Sequence, residues 1–179
     1  MNFEKLSSFS NIPIAESTLV ICDIDDTVLY FPKKEEFVKN LVKDLLNQFS
    51  PEEAEYEAQG MMNMYHIIQK PAHTDLAGFN ALLEQLDNKH GKLVFLTARQ
   101  QRDDKFTRDH LTTIGIDESK FEVYYTDNQI SKGEFIHKKF GKEIGSGKWN
   151  NVIFIDDRED YIRSVWRFCP EIKCFWFAR

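Results

Sequence analysis

Apolar positions along the chain fall into short continuous runs separated by stretches of helical period. Thr18-Leu-Val-Ile-Cys-Asp23 is rich in β-branched residues and ends abruptly in carboxylates, which predicts a fully buried strand. Residues 34–49 place Phe37, Val38, Leu41, Val42, Leu45, Leu46 and Phe49 on one face of an amphipathic helix. Ser50-Pro51-Glu52-Glu53 starts a second helix. Ser50 suits the N-cap, Pro51 suits the first turn, and Glu53 completes a capping box. This helix carries Met61, Met62, Tyr65 and Ile68 and stops before Pro71; its methionine face reads as adaptable core packing.

From Thr74 onward the pattern is regular. A helix through Leu76, Phe79, Leu82, Leu83 and Leu86 ends near Gly91 and is followed by a strand over 92–97. A helix over 102–114 ends at Gly115, and a strand follows over 121–126. A helix from Ser131 is expected to end at Gly141, ahead of a strand over 151–156. A helix through Tyr161, Val165 and Trp166 stops before Pro170, and 173–177 closes the chain as a strand. Such alternation predicts an α/β fold: a Rossmann-like, three-layer α/β/α sandwich with a mostly parallel sheet. Residues 33–72 break the rhythm with two consecutive helices, and predict a small helical cap inserted after the first strand.

Composition narrows the class. A chain of 179 residues reads as one domain, 1–179, that contains this insertion. It is long enough to bury a core without disulfide or metal staples. Lys plus Arg number 23 against 29 Asp plus Glu, so the net charge of −6 removes the basic field of a nucleic-acid or anionic-membrane binder. Hydrophobic residues at 42% and aromatics at 13% exclude a disordered chain. No apolar run approaches the roughly 20 residues that span a bilayer, and Met1 to Ser17 lacks the apolar stretch of a signal peptide. Cys22, Cys169 and Cys174 form no CxxC pair, so neither a disulfide framework nor a zinc site is indicated. A soluble, cytoplasmic protein is expected, and oligomeric state is left open.

Ligands of open parallel sheets bind beyond the carboxyl ends of the strands. The first strong strand delivers Asp23, Asp25, Asp26 and Thr27 there, and the strand ending at 97 delivers Thr97 and Arg99. The strand ending at 126 delivers Asp127, with Lys132 at the next helix start, and the strand ending near 155 delivers Asp156, Asp157 and Asp160. Carboxylates from at least two strands would repel one another at one edge. A divalent cation resolves the repulsion, and all-oxygen ligands select a hard one, Mg²⁺.

These residues resemble the motifs of the haloacid dehalogenase (HAD) superfamily. Asp23-Ile24-Asp25-Asp26-Thr27 is similar to its DxDxT signature, and Leu93-Val-Phe-Leu-Thr97 to its apolar strand ending in Thr or Ser. Ser131-Lys132-Gly133 is similar to its helix-opening lysine, and Val152-Ile-Phe-Ile-Asp156-Asp157 to its strand ending in paired acids. The four occur in the family's order between residues 18 and about 160. Bacterial members with Asp-Ile-Asp-Asp-Thr and Leu-Thr-Ala-Arg motifs look most similar. The resemblance implies that Asp23 is the nucleophile, forming an aspartyl-phosphate. It implies that Asp25 protonates the leaving oxygen and then activates water. An Asp at this second position is absent from dehalogenases and is Thr in ion-pumping ATPases, which points to phosphatases or phosphotransferases. Thr97 would donate to a phosphoryl oxygen, and Lys132 would neutralise charge between Asp23 and the phosphoryl group. Mg²⁺ would be held by the Asp23 carboxylate, the Asp25 backbone carbonyl and Asp157, with Asp156 supporting directly or through water.

Other residues carry plainer readings. Asp26 shapes the loop, and Asp160 and Glu159 are either helix N-terminal acids or metal-supporting groups. Arg99 reads as solvated or paired, with contact to a substrate anion as the competing reading. His73, at the edge of the insertion, is the one histidine singled out for test. Gly141 to Lys148 mimics a phosphate-binding loop but has the wrong spacing and precedes a strand. Lys138, Lys139, Lys142 and Lys148 read as a solvated helix face. The expected activity is hydrolysis of a small phosphorylated substrate. Two alternatives stand beside it. Ile155 to Arg158, running on to Val165-Trp166-Arg167, resembles the phosphatase half of polynucleotide kinase-phosphatases, which suggests a nucleic-acid 3′-end phosphatase. A non-catalytic module that binds a phosphorylated ligand is the other.

Overall fold

The computed structural model describes residues 3–178; in the second helix the side chains of residues 59, 60, 62–64 and 66–68 lie outside that description. In chain order the strands are β1 (Glu4–Leu6), β2 (Thr18–Cys22), β3 (Leu29–Tyr30), β4 (Ala72–His73), β5 (Lys92–Thr97), β6 (Glu122–Tyr125), β7 (Asn151–Asp156) and β8 (Lys173–Phe177). The α-helices are α1 (Lys34–Leu45), α2 (Pro51–Ile68), α3 (Leu76–Asn88), α4 (Asp104–Thr113), α5 (Lys132–Gly145) and α6 (Glu159–Phe168). Six strands form one sheet in the order β1-β8-β7-β2-β5-β6, and every pairing in it is parallel.

Side-chain alternation along β2 sorts the two helical layers. Leu19 and Ile21 pack with Ile136 and Phe140 of α5 and Ile162 and Val165 of α6. Val20 and Cys22 belong to the opposite cluster, with Phe79, Leu82 and Leu86 of α3 and Leu111 of α4. Burial on both faces explains why β2 and β7 read as continuous apolar runs instead of alternating ones. The α/β sandwich is therefore the observed architecture. Among the described residues no helix is long and apolar enough to cross a membrane.

Several expectations are corrected. The chain's first strand is β1, not the run at 18–23; only Leu6 of its three residues is buried, and pairing with β8 makes it a strand. The helix from Ser131 does not end at Gly141 but runs to Gly145. A glycine stops a helix when it turns left-handed, and Gly147, with φ of 72°, does this while Gly141 does not. The first insertion helix ends at Leu45, and Leu46 and Phe49 are 47% and 40% exposed, so its seven apolar positions are not one buried face. Phe37 and Val38 pack on the main core, whereas Leu41, Val42 and Leu45 meet Ala54 and Ala58 of α2. The capping box of Ser50 and Glu53 is present. Met61 is 39% exposed and thus not core; Met62 and Ile68 fall outside the described side chains.

The two helices leave and return through a neck that sequence pattern did not reveal. β3 and β4 pair antiparallel, Leu29 with His73 and Tyr30 with Ala72. Tyr65 ties α2 to the segment between β3 and α1 and to α1 itself: its hydroxyl donates to the Pro32 carbonyl (2.8 Å), and its ring stacks on Phe37 at 4.4 Å.

Candidate active site

The site lies at the carboxyl edge of the sheet, where β2 and β7 end side by side. Asp23 continues the ladder by one residue, its N–H donating to the Ile155 carbonyl (2.9 Å). The chain then turns tightly: the amides of Val28 and Leu29 both donate to the Ile24 carbonyl, and Asp26 donates to Leu29. Asp26 takes a left-handed conformation (φ 59°), which Asp tolerates better than most residues, and its carboxylate pairs with Lys34 (2.7 Å). Asp26 therefore shapes the loop.

Lys132 opens α5, whose first turn is capped by the Ser131 hydroxyl accepting from the Glu134 amide (3.2 Å). Its ammonium donates to Asp23 Oδ1 and to Asp156 Oδ2, the latter at 2.7 Å. Asp156 Oδ1 accepts from the Arg158 amide (2.9 Å), so both oxygens of that carboxylate are engaged. The Lys132 and Asp156 side chains are 1% and 0% exposed. Gly133 lets α5 come this close to α6: a Cβ there would stand 2.2 Å from the Ser164 carbonyl oxygen. Tyr161 of α6 places its ring 4.6 Å from the Lys132 ammonium, and Arg158 covers the ring at 4.3 Å.

Asp157 completes the cluster. Asp23, Asp156 and Asp157 each offer an oxygen within 4.8 Å of the others. The Thr27 hydroxyl lies 3.2 Å from Asp23 Oδ2 and 3.3 Å from Asp157 Oδ1, and accepts the Asp157 amide at 3.0 Å. It has one proton to share between two carboxylates. Three acids against one ammonium leave negative charge uncompensated in a buried place. Burial raises the Asp23 carboxyl to about 7, against the pull of Lys132 and with Asp156 and Asp25 adding to the rise. Burial, then the charges of Asp23 and Asp26, raises Asp157 to about 6. Burial also raises Asp156, while Lys132, its own charge favoured by Asp156 and Asp23 over the cost of burial, sits above the ordinary lysine range. Such a donor set, hard and short of positive charge, fits a divalent cation between Asp23 and Asp157.

On the other side, Asp25 and Thr97 are held by a residue whose part was not legible in the sequence. Arg99 grips Asp25 with two parallel hydrogen bonds, Nε to Oδ2 at 2.8 Å and Nη2 to Oδ1 at 2.7 Å. Its amide donates to the Thr97 hydroxyl (3.2 Å), and Thr97 is 1% exposed at the end of β5. Of the two readings of Arg99, the paired one is observed. Trp176 was also missed: its indole N–H donates to the Asp157 carbonyl (2.7 Å) from the register position facing Asp156. A cleft of about 780 Å³ runs from Asp26 and Asp157 past Tyr30, Phe31 and Lys33 to Trp176.

Other candidates stand apart. Asp160 pairs with Arg158 (2.7 Å) and Glu159 with Arg163, so both are surface partners of arginines. His73 Nδ1 accepts from the Asp75 amide (3.1 Å), and burial lowers its pKa to about 4, against the opposing charge of Asp75. The glycines and lysines of 141–148 belong to the distal end of α5 and the turn after it. Lys148 there pairs with Glu143, and Lys138, earlier in α5, pairs with Glu134.

A family model described as "Protein of unknown function (DUF2608)" matches residues 4–129, and the chain belongs to that family. The matched part includes Asp23, Asp25, Thr97 and Arg99 and stops before Lys132. No curated protein matches the chain. Among solved structures, it is similar to the HAD domain of the effector protein Lem4 from Legionella pneumophila, an inactive mutant, at 16% identity over 92% of this chain and 85% of that one (TM-score 0.48). It is similar to a class C acid phosphatase from Bacillus anthracis with tungstate bound, at 12% identity over 92% and 68% (TM-score 0.49). A chain of the Pnkp1/Rnl/Hen1 complex is similar at 19% identity over 98% of this chain (TM-score 0.48); this chain spans about half, 52%, of that one's length.

Proposed function

We propose that the protein is a divalent-metal-dependent phosphohydrolase that cleaves small phosphomonoesters through an aspartyl-phosphate on Asp23. The observation that carries this reading is the buried ammonium of Lys132 shared between Asp23 and Asp156, with Asp157 beside them and unbalanced negative charge left over. An Asp23 oxygen attacks phosphorus, the bond to the leaving oxygen breaks, and that oxygen takes the proton of the Asp25 carboxyl. Water then attacks the aspartyl-phosphate and gives its proton to the Asp25 carboxylate. The bond between phosphorus and Asp23 breaks, inorganic phosphate leaves, and both aspartates return to their starting state. Lys132 offsets charge on Asp23 and the phosphoryl group, Thr97 donates to a phosphoryl oxygen, and Asp156 holds Lys132 in place. Mg²⁺, held by the carboxylates of Asp23 and Asp157 with the Asp25 backbone carbonyl, would supply positive charge to the phosphoryl oxygens.

Residues 33–72 form the cap of this site. Their helices return through the β3–β4 neck immediately beyond the Asp23 loop, and the cleft beside Asp157 is bounded by Phe31, just after β3, and by Lys33, the first residue of the insertion. Such a cover leaves room for small molecules at its rim. The test is a panel of phosphorylated sugars, nucleotides, aryl phosphates and 3′-phosphorylated oligonucleotides, assayed with Mg²⁺, with chelator, and with Asp23→Asn. Turnover that needs Mg²⁺ and disappears in the variant is expected. Undiminished turnover in chelator or in Asp23→Asn overturns the reading, and activity confined to oligonucleotide ends moves it to the nucleic-acid alternative.

A further inference from the structure

The two bonds from Arg99 to Asp25 are one edge of a larger arrangement. The guanidinium spends a third group, Nη1, on the Thr107 hydroxyl and on His110 Nδ1, both at 3.2 Å. A guanidinium only donates, so His110 Nδ1 is the acceptor and the imidazole proton resides on Nε2. Four of the five N–H donors are thereby committed, and the side chain is 12% exposed. Thr107 in turn donates to the Asp103 carbonyl (3.2 Å). The His110 ring stands edge-on to Phe31 at 5.3 Å and 75°, so the clamp is braced by α4 on one side and, on the other, by a residue between β3 and the insertion. A surface ion pair has no such support and contributes little. This one is built to fix a direction.

We propose that Arg99 is the positioning residue of Asp25: its planar fork sets where that carboxylate points, and Thr107 and His110 set the fork. The proposal rests on the phosphohydrolase reading. Asp25 hands its proton to the leaving oxygen and later takes one from water, and both transfers require the carboxylate within hydrogen-bond reach of the right atom. Lysine keeps the charge at this place but cannot reproduce a two-point grip. With four of its five N–H donors committed to Asp25, Thr107 and His110, Arg99 has one N–H left, so its main part is to hold Asp25.

The experiment is single-turnover release of the leaving group, with enzyme and Mg²⁺ in excess, over a series of aryl phosphates of increasing leaving-group basicity. A good leaving group departs without a proton and a poor one needs Asp25. Arg99→Lys should therefore cost about a hundredfold on the most basic leaving group and less than about tenfold on p-nitrophenyl phosphate. The resulting steeper dependence should match that of Asp25→Asn. Thr107→Val, which leaves the ion pair intact, should steepen it in the same direction by less, and serves if Arg99→Lys does not fold. Equal loss across the series, or an unchanged dependence in both variants, overturns the proposal. Absence of turnover by the unsubstituted protein would instead overturn the phosphohydrolase reading on which it rests.

Discussion

The carboxyl edge of the sheet and the helical insertion are held by opposite means. At the edge, Lys132, Asp156 and Thr97 are essentially inaccessible; Lys132 of α5 bonds to Asp23 after β2 and Asp156 of β7, and Arg99 bonds to both Thr97 of β5 and Asp25. In the insertion, the two helices share a core of Leu45, Ala54 and Ala58 with Leu41 and Val42 at its margin, while Leu46, Phe49 and Tyr56 stand in solvent. Two alanines bury little apolar area, so the pair is anchored mainly by its Phe37, Val38 and Tyr65, which pack on the main core. A site that must hold charge to a few tenths of an ångström sits where burial makes displacement costly. The part proposed to choose the substrate rests on a smaller and more exposed core.

Breaking the first region should have the largest effect. Lys132→Met leaves Asp23 and Asp156 facing each other without a cation, and removal of one partner from a buried pair costs about 3–5 kcal/mol. Denaturant unfolding should show this loss to be greater at pH 8 than at pH 5, where the acids can protonate, and turnover should vanish at both. Breaking the second region should be milder for the fold. Replacing 33–71 by a short Gly-Ser linker, with β3 and β4 kept, should leave the sheet folded and change the ratio of kcat/KM between two phosphomonoesters far more than the Mg²⁺ requirement. An unchanged ratio would move substrate choice to the loops after Thr97 and Thr126. The smallest effect sharpens the electrostatic side. The Asp157 carboxyl is raised to about 6, so the folded state binds its proton more tightly than the unfolded chain, and stability falls as pH rises from the ordinary carboxylate range through about 6. Asp157→Asn should lift the Tm of the metal-free protein by about 2–4 °C at pH 8, with the gain fading below pH 5. A gain independent of pH would contradict the charge argument.

Legibility in the sequence followed burial. β5, β7 and β8 begin and end where their apolar runs do, at 92–97, 151–156 and 173–177, because strands buried on both faces leave an unbroken signature. β1 and the β3–β4 neck left none: three residues and two pairs of residues are too short for a period, and their pairing partners decide them. The candidate carboxylates were found because each stands at or just after a strand end, where backbone order and chemistry coincide. The fork from Arg99 to Asp25 spans 74 positions and links two loops, so no local pattern records it. Trp176 reaches Asp157 through sheet register in the same way.

The central claim is that Asp23 carries the phosphoryl group. Asp25→Asn keeps the nucleophile but removes the group that activates water, so the covalent state should accumulate on exposure to an aryl phosphate with Mg²⁺. Acid quenching, reduction with borohydride and peptide mass analysis should then find the modified aspartate at Asp23 and nowhere else. Turnover by the unsubstituted protein with no modification of Asp23 in the Asp25→Asn variant, or with modification at Asp25, Asp156 or Asp157 instead, would contradict the account.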